Sequence, residues 1–137
     1  MLLDVTVPGR PYPLRRPRVV NKRAYDPPEN VAAKDRIRWH VRWRDVPYSG
    51  PVVIDITCSY TARTSTADVD NLAKTVLDAL NRYALADDRQ VQELRIRKQY
   101  LASSDATVIQ MWAAQKPTPQ DAASPARSGS NRRSRTT

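Results

Sequence analysis

Hydrophobic and polar positions change period several times along this chain, and each change marks an element. Residues 2–7, Leu-Leu-Asp-Val-Thr-Val, alternate well enough for a short strand. Between residues 8 and 28, Pro8, Pro11, Pro13, Pro17, Pro27 and Pro28 rule out a regular helix. That segment reads as an extended arm or irregular hairpin, held to a core by Tyr12, Leu14, Val19, Val20 and Tyr25. Helical spacing then covers residues 29–44. Ala33, Ile37 and Val41 recur every fourth residue, and Asn30 is the candidate N-cap. Lys34, Arg38 and Arg42 form a second strip, so one helix can face a core and a phosphate backbone together. Trp39 and Trp43 lie one turn apart. They can stack on bases or, as aromatics more often do, pack in a core or an interface.

The clearest strand is 52–60, with Val52, Ile54, Ile56, Cys58 and Tyr60 on one face. Cys58 therefore reads as a small core residue, not a nucleophile. A second helix covers 69–83, with Leu72, Val76, Ala79, Leu80 and Tyr83 inward and Asp70, Lys74 and Asp78 outward. After a turn at 84–88, residues 89–100 alternate around Leu94, Ile96 and Tyr100, and residues 107–113 supply a last strand. The order of elements predicts an α+β fold with a mixed sheet of about four strands and two main helices. Beyond Trp112 no large apolar residue follows. Residues 1–115 are the expected domain and 116–137 an expected basic, disordered tail.

Composition removes several classes. One Cys and one His exclude internal disulfides and zinc or histidine-cluster sites. No apolar run is long enough to span a membrane, and residues 1–4 lack the start of a secretory signal, so a reducing cytoplasm is expected. Charge is unevenly spread. Residues 10–44 hold eleven basic and three acidic residues, residues 45–115 seven and nine, and residues 116–137 five and one. A basic front and tail around an acidic middle suggest a polyanion binder with a separate carboxylate site. Arg10, Arg15, Arg16, Arg18, Lys22, Arg23, Arg63 and Lys74 are the candidate contacts to such a polyanion.

The acidic middle contains Asp68-Val69-Asp70-Asn71-Leu72-Ala73-Lys74, then Asp78-Ala79-Leu80, then Asp87-Asp88-Arg89-Gln90-Val91. Asp68 and Asp70 point the same way in an extended segment and repel unless a cation lies between them. A strand returning beside 52–60 is expected to bring Asp88 to them. Three carboxylates without His or Cys suit Mg²⁺, or Mn²⁺. Such an ion makes a phosphodiester attackable by neutralising its charge and activating water, with Lys74 placed to orient the water or stabilise the transition state. A plainer alternative stands beside this one: Asp68 or Asp70 caps the helix, and Asp70–Lys74 is a surface pair.

Together these residues resemble the signature of the RusA family of Holliday junction resolvases: D-x-D-N-L-x-K, a D-A-L helix end and a D-D-x-Q-V turn into a strand. The resemblance implies a homodimeric, metal-dependent endodeoxyribonuclease that cuts four-way DNA junctions by paired nicks, often of phage or prophage origin. It requires no small-molecule cofactor. Carried over, Asp68, Asp70 and Asp88 bind the metal and Lys74 is catalytic or contacts DNA, with Asn71, Asp78, Asp87 and Gln90 in support. One departure is the stretch before Asp68, where only Arg63 is basic. Residues 10–23 and the tail are expected to supply the missing phosphate contacts. Tyr12, Trp39, Trp43 and Trp112 are the candidates for a dimer interface. The rival functions are a nuclease for flaps or other branched DNA, and a DNA-binding protein without catalysis.

Overall fold

The computed structural model describes residues 1–115. The expected tail at 116–137 lies outside the described residues. The elements are β1 (Leu3–Pro8), β2 (Arg18–Val20), β3 (Arg23–Tyr25), α1 (Pro28–Val41), β4 (Val52–Ser59), α2 (Val69–Leu80), β5 (Val91–Gln99) and β6 (Ala106–Ala113). A short 3₁₀ turn, Asp88–Gln90, leads into β5. This is the α+β fold with two helices and a four-stranded mixed sheet that the periodicity predicts. The sheet order is β1-β6-β4-β5. β6 runs antiparallel to both β1 and β4, whereas β4 and β5 run parallel, Ile54 beside Leu94 and Cys58 beside Lys98.

A parallel pair needs a crossover, and α2 provides it. Its inward stripe, Leu72, Val76, Ala79 and Leu80, is buried against Val52, Ile54, Ile56 and Cys58 of β4. Ile37 and Val41 of α1 join the same core, so both helices cover one sheet face. Cys58 packs in this core, and burial pushes its thiol up to about 11. On the other face Asp55 is buried and bonded by Arg97 at 3.1 Å. Among the described residues no helix is long and apolar enough to cross a membrane.

Helix ends differ from the sequence expectation for local reasons. α1 starts at Pro28 because proline suits a first turn whose amides have no helical partner. Asn30 is therefore not the cap. It sits inside the first turn, 1 % exposed, and pins the proline-rich arm. Its Oδ1 accepts from the Tyr12 hydroxyl at 2.8 Å and the Arg15 amide at 3.0 Å. Its Nδ2 donates to the Arg15 carbonyl and to Asp26 Oδ1, each at 2.8 Å. The far end of α1 stops at Val41, where Arg42 turns left-handed with φ 51°. α2 ends at Leu80, whose carbonyl accepts from the amides of Tyr83, Ala84 and Leu85. Of the extended arm and the irregular hairpin, the hairpin is found: β2 pairs with β3 across Asn21 and Lys22, both at positive φ, but Val19, Val20 and Tyr25 are exposed and do not pin it to the core.

Asn30→Ala removes four hydrogen bonds and leaves the Tyr12 hydroxyl, the Arg15 backbone and Asp26 without their buried partner. Denaturant unfolding should show a loss of about 2–3 kcal/mol, against about 1 kcal/mol for Tyr12→Phe.

Candidate active site

The start of α2 carries the first two carboxylates. Asp68 occupies the N-cap in extended conformation, yet its side chain makes no capping bond. Its backbone carbonyl instead accepts from the Asn71 and Leu72 amides. Asp70 lies in the first turn, where the positive end of the helix dipole favours a negative charge. Among the described residues neither carboxylate has a salt-bridge partner, and neither does Lys74. The capping and surface-pair alternatives are thus not realised. Asp68, Asp70 and Lys74 are all exposed, with Lys74 one turn beyond Asp70 on the same side of the helix.

The basic arm crosses this end of α2. The Leu14 amide donates to the Asn71 carbonyl at 2.9 Å, and Thr75 Oγ1 donates to the Tyr12 carbonyl at 2.7 Å. An open groove of about 390 Å³ results, bounded by Leu14, Arg15 and Arg16 on one wall and Thr66, Asp68 and Asn71 on the other. Two of the expected DNA contacts, Arg15 and Arg16, therefore share a groove with an expected metal ligand. The remaining basic residues are placed elsewhere. Arg10 lies over the Tyr60 ring at 5.8 Å, and Arg18 pairs with Glu29 at 3.2 Å. Lys22 and Arg23 sit exposed at the hairpin, and Arg63 is exposed in the loop before α2.

Asp88 does not join Asp68 and Asp70, and the expected convergence within one chain is corrected here. β5 does pair with β4, but α2 first carries the chain back to the Val52 end of the sheet. Asp88 follows that return, and its amide donates to Asn81 Oδ1, just past the C-terminal end of α2, at 3.0 Å. A twelve-residue helix of about 18 Å separates the two groups. Among the described residues no three metal-ligating side chains come together. Within its own turn, Asp88 is held well. Asp87 accepts from the Arg89 amide, which draws its carboxyl below the usual carboxylate range. Gln90 accepts from the Asp87 amide and donates to the Tyr48 and Gly50 carbonyls, each at 2.7 Å. Asp87 and Gln90 thus shape the turn, and the Asp88 side chain stays exposed. Hard carboxylate oxygens of this kind suit a divalent cation in chemistry, but among the described residues no three of them share one place.

Lys98 escaped the sequence reading. It lies in β5 in phase with Leu94 and Ile96, which face the helices, while Arg95 and Arg97 face away. Its Nζ donates to the Ser65 carbonyl at 3.1 Å and the Ala67 carbonyl at 2.6 Å. The segment that delivers Asp68 is therefore tied to the sheet. A lysine at an apolar phase of a strand was the available signal. In Lys98→Met, amide hydrogen exchange at residues 64–68 should rise roughly tenfold, the scale of a lost charge-assisted bond. Exchange inside α2 should stay unchanged.

Comparison with known proteins adds one finding. No curated protein matches the chain closely enough to count as a relative. The family model described as endodeoxyribonuclease RusA matches residues 8–111, from the end of β1 into β6 and through both ends of α2. With that match over most of the chain, and with the D-x-D-N-L-x-K segment at the mouth of a basic groove, the protein belongs to the RusA endodeoxyribonuclease family.

Proposed function

We propose that this chain resolves four-way DNA junctions by paired, metal-dependent nicks, leaving a 5′-phosphate and a 3′-hydroxyl, and that it works as a symmetric dimer. The observation that carries this reading is the groove in which Arg15 and Arg16 face Asp68, at the end of α2 that also bears Asp70. The two guanidiniums hold phosphate oxygens of the strand to be cut. Lys74, free of any salt bridge among the described residues, donates to the attacking water or to the scissile phosphate. Mg²⁺ or Mn²⁺, when bound to the aspartates, offsets phosphate charge and lowers the pKa of a water.

The separation of Asp88 makes a second copy part of the site. β5 is an edge strand, with its outer backbone groups unpaired by the sheet. Antiparallel pairing of β5 with its two-fold mate sets the Val91 end against the partner's Gln99 end, where Lys98 holds the Asp68 segment. Asp88 of each protomer thereby approaches Asp68 and Asp70 of the other. A register centred on Leu94 places Glu93 opposite the partner's Arg95 and leaves half-exposed Leu94 against its own mate. Two cuts then follow from two equivalent sites.

Asp70→Asn should slow junction cleavage roughly a hundredfold or more, the scale of several kcal/mol of lost charge stabilisation. Junction binding without metal should be kept or tightened. Wild-type nicking by that variant would overturn the site, and equal cutting of a flap would move the substrate to branched DNA in general. Mixing Asp70→Asn with Asp88→Asn chains discriminates further. A shared site regains nicking in the mixed dimer, because one of its two sites is intact, whereas a site within one chain does not. Leu94→Asp should place like charges across the two-fold axis, giving monomers by sedimentation and little cleavage.

A further inference from the structure

The loop after α1 builds a second groove that the proposed nuclease chemistry does not use. It is open, about 520 Å³, and lined by Arg38, Trp39, Arg42, Trp43, Arg44 and Tyr83, with one acid, Asp35, which pairs with Arg38 at 3.4 Å. Its floor is rigid. The Trp43 amide donates to Tyr83 Oη at 2.8 Å, and Tyr83 donates onward to the Arg38 carbonyl at 3.0 Å. The Arg38 guanidinium is held by the Ala79 and Asp78 carbonyls at 2.9 and 3.2 Å. Trp43 is packed at the core margin, and its Nε1 donates to the Val46 carbonyl.

Trp39 is different. It is 65 % exposed, and the Arg42 guanidinium lies over its ring at 4.7 Å. Arg44 stands beside them with no salt bridge among the described residues. A large indole held out in water, capped by a planar cation and flanked by another, offers a π-surface and phosphate donors together. That is the chemistry of a stacking platform for an unpaired nucleotide. A second copy fits less well, since a two-fold contact here would set Arg42 and Arg44 against their own mates. The groove also lies at the C-terminal end of α2, the end next to which Asp88 sits.

We propose that this groove stacks an unpaired nucleobase of the DNA substrate on Trp39, with Arg42 and Arg44 on the adjoining phosphates. The choice of DNA as occupant rests on the nuclease reading above. In an open four-way junction the base pairs at the branch point lack a stacking neighbour and unpair more easily than those of a linear duplex, so the platform favours branched over linear DNA.

The test uses the full chain, fluorescein-labelled oligo-dT, a linear duplex and a synthetic four-way junction. Trp39→Ala should weaken oligo-dT and junction binding about tenfold, the scale of one base–aromatic stack, and leave duplex binding nearly unchanged. Trp39→Phe should restore most of the loss. A 2-aminopurine at the branch point should be quenched by the wild-type chain and not by Trp39→Ala. Unchanged oligo-dT affinity in Trp39→Ala overturns the proposal, as does a shift of that variant from dimer to monomer in sedimentation. If Asp70→Asn abolishes cleavage and Trp39→Ala changes no binding, the platform alone fails. If Asp70→Asn cuts normally and the Trp39 effect persists, the platform stands without the nuclease site.

Discussion

The parallel pairing of β4 and β5 is the constraint from which the rest of the molecule follows. Two neighbouring strands that run the same way need a connection that returns the chain to its starting edge. α2 makes that return, burying Leu72, Val76, Ala79 and Leu80 on the sheet. Whatever precedes α2 must then lie at one end of the sheet, and whatever follows it at the other. Asp68 and Asp70 fall at the first end and Asp88 at the second. The same crossover that stabilises the core divides the acids between its two ends.

At the Asp68 end, exposed charge is organised by buried polar bonds. The proline-rich arm has little regular hydrogen bonding of its own. It is held by Asn30, by the Asn71 carbonyl and by Thr75, all on helices. The prolines lower the entropy lost when the arm is ordered, so few anchors suffice. Lys98 fixes the opposite wall by tying down the Ser65–Ala67 backbone. Arg15 and Arg16 are thereby held on a different element from Asp68 and Asp70, and among the described residues Asp68, Asp70 and Lys74 form no salt bridge. At the other end, the bonds among Asp87, Gln90 and Tyr48 hold the turn that carries Asp88.

The aromatic residues divide along similar lines. Trp43 and Tyr83 build the floor of the second groove, while Trp39, one helical turn before Trp43, points into water. The helix ends at Val41, and Arg42 turns left-handed. Trp43 thus leaves the helical path and packs where an uninterrupted helix would not have placed it.

Apolar periodicity alone determined the fold class, the two helices, the strands of the four-stranded sheet and the buried faces of α1, α2 and β4, because these depend on residues a few positions apart; Leu94 and Tyr100, expected inward at the 89–100 strand, are exposed. It also identified Asp68, Asp70 and Lys74 as neighbours, since they share two turns of one helix. The spacing of the D-x-D-N-L-x-K and D-D-x-Q-V segments was enough to recognise the family. Tertiary structure alone decided that Asp88 stands apart, that Arg15 and Arg16 share a groove with Asp68, that Asn30 is a buried hub and not a cap, and that Lys98 tethers the loop before α2. Each of these joins residues brought together by a crossover or a buried side chain. Distance along the chain carries no information about which end of a sheet such residues will occupy.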